Sequence, residues 1–225
     1  MPRLEPNRLQ VLNLCATGLL FLCCLALPAG PAVAGAQVEE VLSASVQASL
    51  QAAISDRAAP RLVFDSVSEG NAWMMEMSAR LASKIPDSTA RTDFLRTVHY
   101  EASRAGLDPQ IVLGLIQVES NFRKYAVSSA SARGYMQVMP FWVKLIGTPD
   151  QNLFHLRTNL RYGCTILRHY LALENGDYYR ALGRYNGSLG KPEYPNLILS
   201  SWHGYWKYDR SRSLIVTTSA TVKVQ

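Results

Sequence analysis

Cysteine is scarce where it could shape a fold. Three of the four, Cys15, Cys23 and Cys24, lie in the N-terminal apolar segment, and only Cys164 stands in the body of the chain. A lone thiol forms no internal disulfide, so a disulfide framework is excluded and Cys164 is expected to fill core space. Clusters of Cys and His at metal-ligand spacing are missing too. His99, His155, His169 and His203 are scattered, without acidic or Cys partners at motif spacing. No metal and no cofactor are therefore expected. The chain also has no basic run interleaved with aromatics. That argues against nucleic acid as a partner, although the net charge of +6 suits an anionic polymer or surface. Internal repeats are absent. What remains is a globular composition, with 48% hydrophobic and 18% charged residues, long enough for one core plus extensions.

Residues 1–34 read as an export signal. Arg3 and Arg8 give a positive start, the apolar run Val11 to Leu27 is broken only by Asn13, Thr17 and Gly18, and Ala32-Val33-Ala34 offers a small-residue cleavage site. Cleavage after Ala36 is also allowed, and an uncleaved membrane anchor is the competing reading. A lipoprotein is disfavoured, because Leu22 precedes Cys23 and Cys23 precedes Cys24 where a small residue is wanted.

Residues 35–60 are rich in Ala, Ser, Val and Gln and predict a weak helix over Val38 to Ile54 or a flexible lead. A helix over Asn71 to Lys84 carries Trp73, Met74, Met77 and Leu81, a packing stripe rather than a cofactor box. From Ser88 the helical period strengthens through Phe94, Leu95, Val98 and Ala102 and ends at Gly106. Ser120 to Gly134 reads as loop, Pro140 opens a short helix through Trp142 and Ile146, and Asn159 to Leu173 is a clear helix. Tyr178 to Tyr185 is a further short helix. Pro192 and Pro195 mark a loop before a last helix over Asn196 to Trp206.

One helix concentrates the chemistry. Asp108 suits an N-cap and Pro109 a first turn, and Ile111, Val112, Leu115 and Ile116 repeat at helical spacing. Glu119 lies seven, four and three residues after Val112, Leu115 and Ile116, so it falls on the apolar face at the end of the helix. A carboxylate there loses solvation and feels the negative helix pole. Both effects raise its pKa, as a general acid requires.

Four blocks follow in order: Glu119-Ser120, Ala126-Val127-Ser128, Gly134-Tyr135-Met136-Gln137-Val138-Met139-Pro140 and Tyr185-Asn186-Gly187. Together they resemble the soluble lytic transglycosylase family (family 1), over about residues 90–206. The resemblance implies a mainly α, lysozyme-like domain with a catalytic cleft, preceded by a signal peptide and a short helical N-terminal extension. The chain then divides into a signal at 1–34, an extension at 35–88 that is partly helical or flexible, an SLT domain at 89–208 and a tail at 209–225.

The implied activity is cleavage of the MurNAc-β-1,4-GlcNAc bond of peptidoglycan with formation of 1,6-anhydro-MurNAc. Glu119 is the implied sole catalytic acid and base. Ser120, Gln137, Met139, Tyr185 and Asn186 are the implied substrate-binding residues, with the Tyr185 hydroxyl near the carboxylate. Gly134 lets the backbone turn near the site, and Asn159 is expected to satisfy buried backbone groups. Arg123-Lys124, Tyr135, Arg184 and Ser188 depart from the family pattern and bear on subsite contacts. Tyr135 and Trp142 are candidates for stacking on sugars, with a core or rim position as the competing reading. The expected partner is the glycan strand, with a cell-envelope or secretion apparatus as a further one. The expected state is a monomer in the periplasm. Two alternatives remain: a goose-type hydrolytic muramidase, for which Asp150, Glu174 and Asp177 are the nearest downstream acids, and a non-catalytic wall-binding or assembly module.

Overall fold

The computed structural model describes residues 37–55, 62 and 64–209. The expected export signal and nearly all of the expected tail lie outside these residues. Eight helices follow in order: α1 (Ala44–Ser55), α2 (Val67–Leu81), α3 (Ser88–Arg104), α4 (Pro109–Ser120), α5 (Phe141–Ile146), α6 (Leu156–Leu173), α7 (Tyr178–Asn186) and α8 (Glu193–His203). Among the described residues the only β pairing is two isolated bridges, Val127 with Arg133 and Arg133 with Val138. The mainly α expectation is met. No helix of the described residues is long and apolar enough to cross a membrane.

Side-chain caps set several helix starts. Ser66, Asp87, Asp108 and Asp177 accept from the backbone N–H of Glu69, Ala90, Gln110 and Arg180 at 3.1, 2.7, 2.7 and 3.1 Å. The apolar stripes then decide the packing. α6 buries Leu160, Cys164, Leu167 and Leu171 and is flanked by α1, α3 and α7, while α4 packs between α3 and α8. Cys164 fills core space, as expected of it. Trp73, Met77 and Leu81 of α2 join the same core, so the Met- and Trp-rich stripe packs rather than binds. Each large apolar side chain taken out of water contributes roughly 1.5–3 kcal/mol.

Several boundaries differ from the sequence reading: α1 starts at Ala44 instead of Val38, and α2 runs Val67–Leu81 instead of Asn71 to Lys84. α6 starts at Leu156, three residues before Asn159, which places Asn159 in its first turn. α8 starts at Glu193, so Pro195 lies within its first turn instead of in a loop. Proline is tolerated there because a first-turn N–H has no intrahelical acceptor.

α1 is stitched to the body by arginines. Arg104 and Arg161 donate to the carbonyls of Ala53 (2.6 Å) and Ile54 (3.3 Å), and both grip the fully buried Glu101 carboxylate at 3.0 and 2.8 Å. Arg157 reaches the same carboxylate at 3.4 Å.

Candidate active site

Glu119 lies in the last turn of α4, just before Asn121 turns the chain with φ of 49°. Its residue is 4% exposed. Glu101, Glu119 and Glu174 are the buried carboxylates among the described residues, and their surroundings differ. Glu101 is held by three arginines, and Glu174 by Arg180 and Arg184. Among the described residues, Glu119 has no cation beside it. Its Oε1 accepts from the Tyr194 hydroxyl and its Oε2 is buried without a hydrogen-bond partner. Burial pushes its pKa up to about 8, with the Tyr194 hydrogen bond pulling the other way. A carboxyl group in that state is a proton donor near neutral pH.

Tyr194 comes from α8, and the seam between α4 and α8 delivers it. Gly114 of α4 lets the α8 backbone approach closely, since a Cβ there would meet the Trp202 nitrogen at 3.3 Å and the Ile198 oxygen at 3.4 Å. Gln117 then accepts from Ser201 Oγ at 3.1 Å and Trp206 Nε1 at 2.6 Å, and Trp202 Nε1 donates to Asp108 at 3.2 Å. Sequence reasoning missed Tyr194 because the flanking prolines read as loop. The Tyr194–Ile198 spacing of four, running on to Ser201 and Trp202, was the available helical signal.

The contact expected of Tyr185 is thus made by Tyr194. Tyr185 is fully buried and donates its hydroxyl to the Met136 carbonyl at 2.7 Å, close enough to Glu119 to feel its charge. Tyr185 therefore braces the loop that carries Met136 to Met139. The two tyrosines should separate on mutation. Tyr194→Phe removes a donor that favours the carboxylate anion, so the Glu119 pKa rises further. Activity should fall roughly 10–100-fold through lost orientation, while the alkaline limb of the pH profile moves up. Tyr185→Phe should leave that limb in place and lower stability by about 1–2 kcal/mol through the stranded Met136 carbonyl. A pH–rate profile of both variants checks this. An unmoved alkaline limb in Tyr194→Phe would remove Tyr194 from the carboxyl's environment.

The Gly134–Pro140 loop is built around Asn159. Its Oδ1 accepts from the Met136 N–H at 2.8 Å, and its Nδ2 donates to the Arg133 and Leu153 carbonyls at 2.8 and 2.9 Å. Gly134 sits at φ of 75°, and a Cβ on it would collide with the Asn159 amide and the Leu153 carbonyl. Gln137 adopts φ of 48°, an uncommon conformation for a residue with a side chain that costs about 1 kcal/mol or more. Its own Nε2 holds it there, donating to the carbonyls of Gly134 (2.8 Å) and Ala126 (3.1 Å). The donor half of the Gln137 amide is therefore engaged inside the loop.

The remaining residues divide. Ser120 donates its hydroxyl to Ile116 at 3.2 Å, and its carbonyl accepts from the Arg123 side chain at 3.0 Å, so it shapes the turn after Glu119. Met139 is half-buried on the loop. Asn186 donates to Ser188 Oγ at 3.1 Å and keeps a buried Oδ1 with no partner. Trp142 and Tyr135 are core residues; Tyr135 packs on Phe94 with ring centroids 4.9 Å apart. Of the acids weighed as a second carboxylate, Asp177 caps α7 and Glu174 is held by its arginines. Asp150 is exposed. Among the described residues no three His, Cys, Asp or Glu side chains come together as a metal site.

Comparison with known proteins agrees with the architecture. The family model described as the transglycosylase SLT domain matches residues 96–194. The membrane-bound lytic murein transglycosylase C of Haemophilus ducreyi is 31% identical over 116 residues, covering 43% of this chain and 31% of that protein. The protein of the same name from Mannheimia succiniciproducens is 45% identical over 64 residues (28% and 16%), and that from Actinobacillus pleuropneumoniae 49% over 47 residues (21% and 13%). The chain thus spans between 13% and 31% of the length of these relatives. Residues 96–194, which hold Glu119, its Tyr194 partner and the Asn159-centred loop, are the part of the chain that matches the transglycosylase SLT domain family.

Proposed function

We propose that this chain is a peptidoglycan lytic transglycosylase of the cell envelope that acts through Glu119 alone. The observation that carries the reading is a buried carboxyl with no cation beside it and a pKa near 8. In the first step the protonated Glu119 gives its proton to the glycosidic oxygen between MurNAc and GlcNAc, and the C1–O bond breaks. In the second, the resulting carboxylate takes the proton of the muramic C6 hydroxyl as that oxygen attacks C1. The 1,6-anhydro ring closes, no water is consumed and Glu119 regains its proton. Tyr194 steadies the carboxylate between the steps. One group of raised pKa serves both as acid and as base, whereas hydrolysis needs a second carboxylate to activate water. Ser120, Gln137, Met139, Tyr185 and Asn186 form the walls that receive the glycan in this reading, Tyr185 by bracing them. Export to the periplasm through residues 1–34 accords with that substrate.

Mass spectrometry of purified peptidoglycan digested with the full chain tests the proposal. Fragments ending in anhydro-muramyl residues are expected, each lighter by one water than its hydrolytic counterpart. Reducing muramyl ends would replace the reading with a hydrolase, and unchanged glycan with a binding module.

A further inference from the structure

Gln37 lies far outside residues 96–194, yet its side chain is buried against the candidate site. Its Oε1 accepts from Trp142 Nε1 at 2.9 Å and from the Met139 N–H at 3.4 Å. An indole nitrogen only donates, so the atom facing it must be the amide oxygen, and the orientation of the amide is fixed. Nε2 therefore points the other way, buried beside the Tyr185 hydroxyl, to which it closes no hydrogen bond of normal geometry. Tyr185 stands beside it: its hydroxyl lies against the Gln37 side chain and feels the charge of Glu119.

Among the described residues, three buried polar atoms of the candidate site thus make no hydrogen bond of normal geometry: the donor Gln37 Nε2 beside Tyr185, the Asn186 acceptor Oδ1 on the next residue of α7, and Glu119 Oε2. Folded proteins leave few such atoms unpaired, and those that remain call for a ligand or a catalytic role. Their chemistry is selective. A donor amide such as Gln37 Nε2 suits an acetamido carbonyl, and an acceptor such as Asn186 Oδ1 suits an acetamido N–H.

We propose that Gln37 is a substrate-binding residue of this site and that its Nε2 donates to the carbonyl of a glycan acetamido group. The proposal rests on the glycan reading above. The segment that carries Gln37 is suited to the task. α1 is locked to the body through Gln47 donating to the Leu145 carbonyl at 2.6 Å and through the arginines on Ala53 and Ile54. Between that anchor and Gln37, Val38 to Val41 are exposed, and Glu40 meets Arg184 of α7 at 3.6 Å.

Binding in the full chain carrying Glu119→Gln, which separates recognition from turnover, tests the idea. The probes are N-acetylglucosamine tetramer and cellotetraose, which share the β-1,4 backbone and differ in the acetamido group. Titration calorimetry should show the acetamido tetramer bound at least about tenfold more tightly. Adding Gln37→Glu keeps the acceptor for Trp142 and Met139 but turns the donor into an acceptor. That preference should then be lost while cellotetraose still binds. If Gln37→Glu melts well below its parent, Gln37→Met, similar in length and uncharged, is read in the same way, since the ratio of the two affinities is insensitive to a shared folding loss. A ratio that stays at the parent value in the variant overturns the role of Gln37 and leaves the glycan reading intact. Failure of the parent to bind either tetramer overturns both.

Discussion

Glu119→Gln is expected to lower turnover of peptidoglycan by a factor on the order of 10⁴ while the protein stays folded. The magnitude follows from the double duty of one carboxyl. A positioned acid or base contributes roughly 10²- to 10⁴-fold, and here the same group protonates the leaving oxygen and later takes the C6 proton. Gln is nearly isosteric and can still accept from Tyr194, so binding should survive. Release of anhydro-muramyl fragments from purified peptidoglycan gives the rate. A variant retaining a tenth of wild-type turnover would sink the single-carboxyl mechanism.

The same carboxyl sets two pH dependences. Because the acid form is required, activity should fall as pH rises through about 8. Stability should follow the raised folded-state pKa: it is greatest below the ordinary carboxyl value of 4.5 and is lost as pH climbs to about 8, where the buried group ionises. Glu119→Gln carries no such loss. It should melt together with the wild type near pH 4 and above it at pH 8, the gap opening between those values. A constant gap across that range would mean that Glu119 ionises in the folded protein as it does in water.

How much of this could be read in the chain depends on the range of the interaction. α4 was legible because its start and its face are written locally, in Asp108, Pro109 and the period from Ile111 to Glu119. Burial of Glu119 follows from that same period. Asn159 and the loop it braces were legible as a pattern of residue types. Tyr194 was not, because Pro192 and Pro195 signal a break as readily as a helix start, and only packing on α4 decides between them. Gln37 was beyond reach for a different reason. It lies at the edge of an Ala- and Ser-rich stretch, and its indole partner is 105 residues away. Glu101 shows the same limit: Arg104 is three residues on, but Arg161 is 60. No local pattern announces such pairs.

Asn159→Ala should be the most damaging substitution for the architecture of the site, at about 3–5 kcal/mol. Asn159 is fully buried, and its three hydrogen bonds all go to backbone groups. Without the amide, the Met136 N–H and the Leu153 carbonyl lose the partners Asn159 gave them inside the core, while the Arg133 carbonyl keeps the Val138 N–H at 3.0 Å. Each stranded group costs roughly 1–3 kcal/mol, and the vacated volume adds to it. That is a large part of the roughly 5–15 kcal/mol that holds a domain folded. The melting temperature should drop by about 10 °C in a domain of this size. The exposed Asn196 of α8 is the matched control, and Asn196→Ala should stay within about 0.5 kcal/mol of wild type. Chemical denaturation of the three proteins gives the comparison. Function should follow from the same bonds. Met136 is the residue whose N–H binds Asn159 and whose carbonyl receives the Tyr185 hydroxyl, so releasing one side of that clamp frees the Gln137–Met139 wall. Well below its melting point, Asn159→Ala should therefore show weaker substrate binding with the alkaline limb of Glu119 unmoved, because neither Tyr194 nor the burial of α4 depends on Asn159. A variant as stable as Asn196→Ala would mean that the loop holds its shape without the amide.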